Sequence, residues 1–279
     1  MSEASKHKPP ATEAASLQGT LGQSGPGGAF ELAPGASLVV RDLGVMPYPD
    51  AIKQQHRSHA RVLAARGAEG EAPGASSGVL IGELLLVEHP PVITVSRRPG
   101  AGAHLLASAE LLASMGVTVH ETDRGGDITY HGPGQLVVYP IVDLNRMHLR
   151  LHDYMRLLEA AVIGACGAMG VASQRDAGAT GVWTVPTGEV ASAKLCAMGV
   201  RVSRWVTLHG LALNVSTDLS FFDLIVPCGL AGREVTSLKQ RLGAACPSMA
   251  DVKATLARAL ASALASALVK QMEARSDGR

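Results

Sequence analysis

Apolar, strand-like runs follow one another along this chain with few helical patterns between them, and that order restricts its fold more than any other feature. The runs are Gly82 to Glu88, Val92 to Val95, Leu136 to Leu144, Gly181 to Val185, Lys194 to Thr207 and Leu211 to Val215. Short apolar runs bounded by glycine, proline and polar clusters read as strands. Helical spacing appears from Asp50 to Arg66, from His152 or Asp153 to Gly170, and from Asp251 to about Arg275. In the last of these Leu256, Leu260, Leu264, Leu268 and Met272 recur every four residues, a stripe suited to core packing. Strict strand–helix–strand alternation is absent. The expectation is an α/β (α+β) protein with a mixed, largely antiparallel sheet.

Hydrophobic residues make up 47% of the 279 residues, enough for a sizeable core. The first 36 are rich in Ser, Gly, Ala and Pro, cannot offset their ordering entropy, and predict a disordered extension. Order is expected from Leu38, in a single domain over 37–272 with a flexible loop at 67–78 and a short tail at 273–279. With 25 basic and 24 acidic side chains the net charge is +1, which argues against nucleic acid as the main partner. The polar opening lacks a signal-peptide core, and no uninterrupted apolar run approaches the ~18 residues of a membrane helix. Cys166, Cys196, Cys228 and Cys246 form no Cys-x-x-Cys pair. A cytoplasmic protein with reduced thiols and no membrane partner is therefore expected.

The densest polar signal is Arg124-Gly125-Gly126-Asp127-Ile128-Thr129-Tyr130-His131-Gly132-Pro133-Gly134-Gln135, directly before an apolar strand. Its glycines suit either a tight turn or close backbone approach to a ligand, and composition does not decide between them. The Gly-Lys-Ser/Thr ending of a nucleotide P-loop is missing. Cys228 stands between Pro227 and Gly229 just past an apolar run, outside regular structure, where a thiol can be presented. Most free cysteines are nonetheless small core hydrophobes. Cys166 and Cys196 fit that description, and Cys246 has no assignable role. Lys194 opens an apolar strand. It is either a solvated edge charge or, inside a closed site, a cation that favours a neighbouring thiolate. His209 precedes Gly210-Leu211-Ala212-Leu213-Asn214 and is either ligand-facing or a satisfied strand histidine. His56 and His59 share a helical face without a third ligand at metal spacing, so they read as surface histidines and no metal site is expected.

Together these pieces resemble the octanoyl-acyl-carrier-protein:protein octanoyltransferases, the lipoate–protein ligase B family. The resemblance starts at Val87-Glu88-His89-Pro90-Pro91-Val92-Ile93-Thr94 and continues through the segment at 124–135 and Tyr139. The Lys194 strand, His209-Gly210-Leu211-Ala212-Leu213-Asn214, Pro227-Cys228-Gly229 and Glu234-Val235-Thr236-Ser237-Leu238 follow in family order. It covers roughly residues 38 to 260 and implies a sheet flanked by helices, as in the biotin/lipoate protein-ligase catalytic domain. It further implies Cys228 as the acyl-thioester nucleophile and Lys194 as the residue that lowers its pKa. Substrate-binding positions carry over as Arg124, Gly125, Gly126, Asp127, Ile128, Thr129, Tyr130 and His131, then Ala197, Met198 and Gly199, and Gly210, Leu211 and Ala212. The extension before residue 38, the loop at 67–78 and Cys196 beside the lysine depart from the family pattern.

The implied reaction moves an octanoyl group from octanoyl-acyl carrier protein to Cys228, then to the target lysine of a lipoyl domain. The lipoyl domains of 2-oxoacid dehydrogenase complexes and of the glycine cleavage H protein are the implied acceptors. Thioester exchange is nearly isoenergetic and thioester-to-amide transfer runs downhill, so no cofactor is expected. Arg97, Arg98, Arg146 or Arg204 are expected to help dock the acidic carriers. An ATP-dependent lipoate or biotin ligase of the same fold, a non-catalytic acyl-binding module and a cysteine hydrolase are the rival readings.

Overall fold

A computed structural model describes residues 27–66, 79–188, 191–226 and 233–276. Its strands and helices run β1 (Gly27–Ala33), β2 (Ala36–Val45), α1 (Tyr48–Ala64), β3 (Val79–Glu88), β4 (Val92–Ser96) and α2 (Ala109–Ser114). Then come β5 (Thr118–Thr122), β6 (Ile128–His131), β7 (Gln135–Val142), α3 (Leu151–Ala168), β8 (Ser173–Arg175) and β9 (Val182–Thr184). The chain continues through β10 (Lys194–Ser203), β11 (Val206–Asn214), α4 (Leu238–Leu242) and α5 (Met249–Ser276). An eight-stranded sheet has the order β1-β2-β3-β7-β11-β10-β9-β8, parallel only between β2 and β3. A smaller sheet of order β5-β4-β6 pairs β4 parallel with β5 and antiparallel with β6. The mixed, largely antiparallel arrangement is the one the order of runs predicted.

Strand alternation gives the large sheet two buried faces. Leu84 and Leu86 of β3, Leu136 and Val138 of β7, and Leu211 and Leu213 of β11 point to one core. There they meet Leu158, Val162 and Cys166 of α3 and the Leu256, Leu260, Leu264 and Leu268 stripe of α5. Leu85, Val87, Val137, Tyr139, Ile141 and Ala212 point the other way, against Ala51 and Val62 of α1. By length and composition alone α5 could cross a membrane, but its leucine stripe is buried in this core, as a core helix requires. A third cluster joins Ile93, Ile128 and Tyr130 of the small sheet to Phe222, Leu224 and Ile225.

Several boundaries differ from expectation. The first strand begins at Gly27 and pairs with β2, so order starts inside the segment expected to be disordered to residue 36. Helix α5 runs to Ser276, into the expected tail, and starts two residues early because the Ser248 hydroxyl accepts from the Asp251 amide. The run from Lys194 to Thr207 is cut by a two-residue hairpin turn at Arg204 and Trp205, whose φ angles are 51° and 64°. Such turns ordinarily signal themselves through glycine or asparagine, which are absent here. His59 is buried and 3.0 Å from the Ser203 carbonyl oxygen, whereas His56 is exposed as expected. The loop at 67–78 lies outside the described residues.

Charge fastens α1 to the sheet. Glu83 of β3 is 2% exposed and accepts from Arg61 at 2.6 and 2.7 Å and from Ser58 at 2.8 Å. Burial pushes its carboxyl up, yet the Arg61 and Ser58 hydrogen bonds outweigh that and hold it below the usual range. Arg66 closes a similar fork on Asp143 at 2.6 and 2.7 Å. Breaking a pair with one buried partner leaves polar groups unmatched, so Glu83→Gln should cost roughly 2–3 kcal/mol near pH 7. A carboxyl with a depressed folded pKa stabilises above its unfolded pKa and loses that contribution as the pH falls through the folded value. Urea unfolding at pH 7 and pH 3 should therefore show a gap between variant and parent that is smaller in acid; a gap of equal size at both would contradict this.

Candidate functional site

Two backbones meet where the small sheet leans on the large one. Gly125 donates its amide to the Val200 carbonyl oxygen at 3.0 Å. A Cβ on Gly199 would collide with the Gly125 carbonyl oxygen, and one on Gly210 with the Val138 carbonyl oxygen. The Arg124-Gly125-Gly126 turn can thus lie flat on β10 only because both sides lack side chains. Arg124 is fastened by Thr94, its guanidinium 2.8 Å from the carbonyl oxygen and 3.0 Å from the hydroxyl.

Between the sheets lies a narrow, predominantly apolar slot. Val137, Ala197, Met198, Leu211 and Ala212 supply its aliphatic wall. Its polar residues direct their polar atoms at neighbouring protein groups. The Tyr48 hydroxyl donates to Thr122 at 2.8 Å, and His209 Nε2 lies 2.7 Å from Asp123. His89 Nε2 lies 2.8 Å from the Tyr139 hydroxyl, and its Nδ1 is 2.7 Å from the Met46 carbonyl oxygen. A carbonyl only accepts, so Nδ1 carries the His89 proton and Nε2 accepts from Tyr139. Gln135 donates its amide to Tyr130 and Asn214, leaving Oε1 to accept from His131 Nδ1 at 2.6 Å. Burial pulls His131 down to about 3 and His89 to about 4, and lowers His209 with Asp123 partly offsetting it. Near neutrality these rings are uncharged.

His209 holds a left-handed backbone in mid-strand, φ 59°, with its amide satisfied by Gln55 at 2.7 Å. A left-handed angle costs a non-glycine residue energy, which the surrounding contacts must hold in place.

A wider cleft adjoins the slot and shares Gly126, Met198 and Gly199 with it. Arg98, Leu151, Met155, Thr180 and Lys194 line it. Lys194 is 6% exposed, so it is not a solvated edge charge. Its amide donates to the Glu234 carbonyl oxygen at 2.8 Å, and its own carbonyl accepts from the Thr236 amide at 2.9 Å. The lysine is therefore clamped to the stretch that follows the cysteine-bearing segment. On the other side Val226 donates to the His104 carbonyl oxygen at 2.8 Å. Cys228 itself lies outside the described residues. Cys166 and Cys196 are buried in the core, and burial pushes the first thiol up to about 12 and the second well above its ordinary value. Cys196 is thus shielded, not a competing thiol beside the lysine.

Of the residues expected to bind substrate, Arg124, Gly126, Thr129, His131, Ala197, Met198, Gly199, Gly210, Leu211 and Ala212 line the slot, and Gly125 lines the cleft. Asp127, Ile128 and Tyr130 do not. Strand β6 sends Thr129 and His131 to the slot, so Ile128 and Tyr130 face the opposite core, where Tyr130 stacks on Phe221 at 4.8 Å. Asp127 pairs with His104 at 3.0 Å. Tyr48 and Val137 line the slot without any local signal in sequence. Among the expected docking arginines, Arg98 borders the cleft and Arg97 is exposed beside Glu121. Arg146 is largely buried and donates to the Ala65 carbonyl oxygen, so its role is structural.

Residues 68–261 match the lipoyl protein ligase A/B catalytic domain family. The chain is 54% identical over 170 residues to an octanoyltransferase of Acidobacterium capsulatum, covering 58% of this chain and 69% of that one. An octanoyltransferase of Deinococcus radiodurans is 41% identical over 231 residues, covering 80% and 64%. Among solved structures, a bi-partite lipoate protein ligase from Thermoplasma acidophilum superposes with a TM-score of 0.57 at 15% identity, covering 81% of this chain and 82% of that one. At that identity the likeness concerns the fold.

The buried histidines make stability pH-dependent. Between their ordinary value of 6.5 and the folded values, the unfolded chain binds protons that the folded chain does not, so stability falls as the pH drops through this window. His131→Asn should flatten that slope by up to about 1.4 kcal/mol per pH unit. Denaturant unfolding between pH 7 and pH 4.5 measures it, and an unchanged slope would count against the buried neutral ring.

Proposed function

Because the chain belongs to the lipoyl protein ligase A/B catalytic domain family, we propose that its slot holds an octanoyl chain while Cys228 and Lys194 carry the transfer. The chain is an acyltransferase of the octanoyltransferase type, acting in lipoate biosynthesis. The observation that carries the finer reading is the adjacency of the two cavities: an apolar slot and a cleft bearing the buried Lys194 share Gly126, Met198 and Gly199 in their linings. An acyl tail can lie in the first while its carbonyl reaches the second.

In the first step the Cys228 thiolate attacks the octanoyl thioester of an acyl carrier protein. The tetrahedral intermediate collapses and the carrier thiolate leaves, taking a proton from the Lys194 ammonium, which is left as the neutral amine. In the second step the neutral amine of a lipoyl-domain lysine attacks the Cys228 thioester. Lys194 accepts the proton lost by that amine, and the Cys228 thiolate leaves. A thiol with the ordinary pKa of ~8.5 is only a few per cent ionised near neutrality, so a clamped ammonium nearby raises the reactive fraction. Uncharged His131 suits the alkyl chain because it brings no charge that must be stripped of water. The donor and acceptor domains dock at the cleft mouth, where Arg98 offers positive charge.

Intact-mass spectrometry after mixing with octanoyl carrier protein, without ATP, tests this reading. The parent chain should gain one octanoyl group, Cys228→Ser none, and Lys194→Ala should transfer at least about 100-fold more slowly. A full gain in Cys228→Ser, or a strict requirement for ATP, would sink it.

A further inference from the structure

Trp183 sits in β9, 1% exposed and directly across the ladder from Lys194. The ladder is irregular at this point. Lys194 pairs with Trp183 while Cys196 pairs with Val182, which leaves Leu195 as an extra residue. A bulge of this kind re-aims its neighbours. Here the Lys194 ammonium lies 4.8 Å from the centre of the Trp183 ring. The guanidinium of Arg233 lies 4.0 Å from the same centre. Arg233 in turn donates to Asp176 at 2.6 Å, and the Asp176 carboxylate also accepts from the Gly178 amide at 2.9 Å. The indole N–H donates to the Ala179 carbonyl oxygen at 3.3 Å.

We infer that Trp183, Arg233 and Asp176 form a positioning device for the transfer: the indole seats the Lys194 ammonium and, through Arg233, fixes the backbone of Glu234 and Thr236 that clamps the lysine. This rests on the reading of Cys228 and Lys194 given above. An aromatic face attracts an ammonium ion without competing for its proton, as a carboxylate would. Such a seat steadies the ammonium form while leaving its protons available for transfer, which a group that gives and takes a proton requires. Arg233 immediately precedes Glu234 and Thr236, the residues bonded to the Lys194 backbone, so one platform locates both the lysine head group and its main-chain clamp. Asp176 balances the charge of Arg233, which otherwise would repel the lysine across the ring. None of the three touches the reacting atoms in this scheme; each acts through Lys194.

The test compares full-length Trp183→Leu, Trp183→Phe and Asp176→Asn with the parent. It reads steady-state octanoyl transfer, the pH profile of Cys228 alkylation by iodoacetamide followed by peptide mapping, and thermal melting. Trp183→Leu should lower kcat at least about tenfold with the donor KM within about twofold, and raise the alkylation midpoint by about one pH unit. Trp183→Phe keeps an aromatic face and should recover most of both losses. Asp176→Asn, altered at the protein surface, should lower kcat severalfold. A folded Trp183→Leu with the parent's kcat and alkylation profile overturns the inference. If Trp183→Leu does not fold, Asp176→Asn decides, and an unchanged kcat there overturns it equally. A parent chain that never acylates Cys228 would instead remove the reading beneath it.

Discussion

The contact of the Gly125 turn with Gly199 and Val200 is the constraint on which the rest depends. It is the point where the small sheet touches the large one through backbone alone. Any side chain there would wedge the sheets apart and open the slot to water. Because the contact is tight, β6 is held so that its alternation divides cleanly, Thr129 and His131 to the slot, Ile128 and Tyr130 to the core. The same closeness lets one cavity end where the next begins, at Gly126, Met198 and Gly199.

Around that contact the polar groups are arranged to leave an apolar interior. Tyr48, His89, His131, Tyr139 and His209 each direct a polar atom at a protein partner, and burial keeps the histidines neutral. A buried polar group costs little when its partner is fixed, and the carbon faces that remain accept a hydrocarbon chain. At the slot Arg124 is held by Thr94, and in the adjoining cleft Lys194 rests against an aromatic ring. A predominantly apolar slot beside a cleft that bears Lys194 matches the two ends of an acyl thioester.

Much of the fold was legible because burial and strand period agree. Runs such as Val79–Glu88 and Gln135–Val142 are apolar on both faces, as a sheet covered on both sides demands, and the four-residue leucine spacing of α5 did become core. The break in the Lys194 run was not legible, because Arg204 and Trp205 adopt left-handed angles without the residues that advertise them. Ile128 and Tyr130 were implied as substrate-binding positions by the family resemblance, along with the rest of the segment from Arg124 to His131. Direction within the motif is set by the two-residue period of β6, and membership says nothing about it. Tyr48 reaches the slot from the start of α1, a contact between distant parts of the chain that no local pattern encodes.

The central claim is that an acyl chain attached to Cys228 lies in the slot with its carbonyl beside Lys194. A crystal structure of the chain trapped after reaction with octanoyl carrier protein, before any acceptor is added, tests it most directly. The account predicts continuous density from the Cys228 sulfur past Gly126 and Gly199 into the space between His131 and Leu211, with the Lys194 ammonium within hydrogen-bonding reach of the thioester. Density for the alkyl chain elsewhere, or a Cys228 sulfur remote from Lys194, would contradict it.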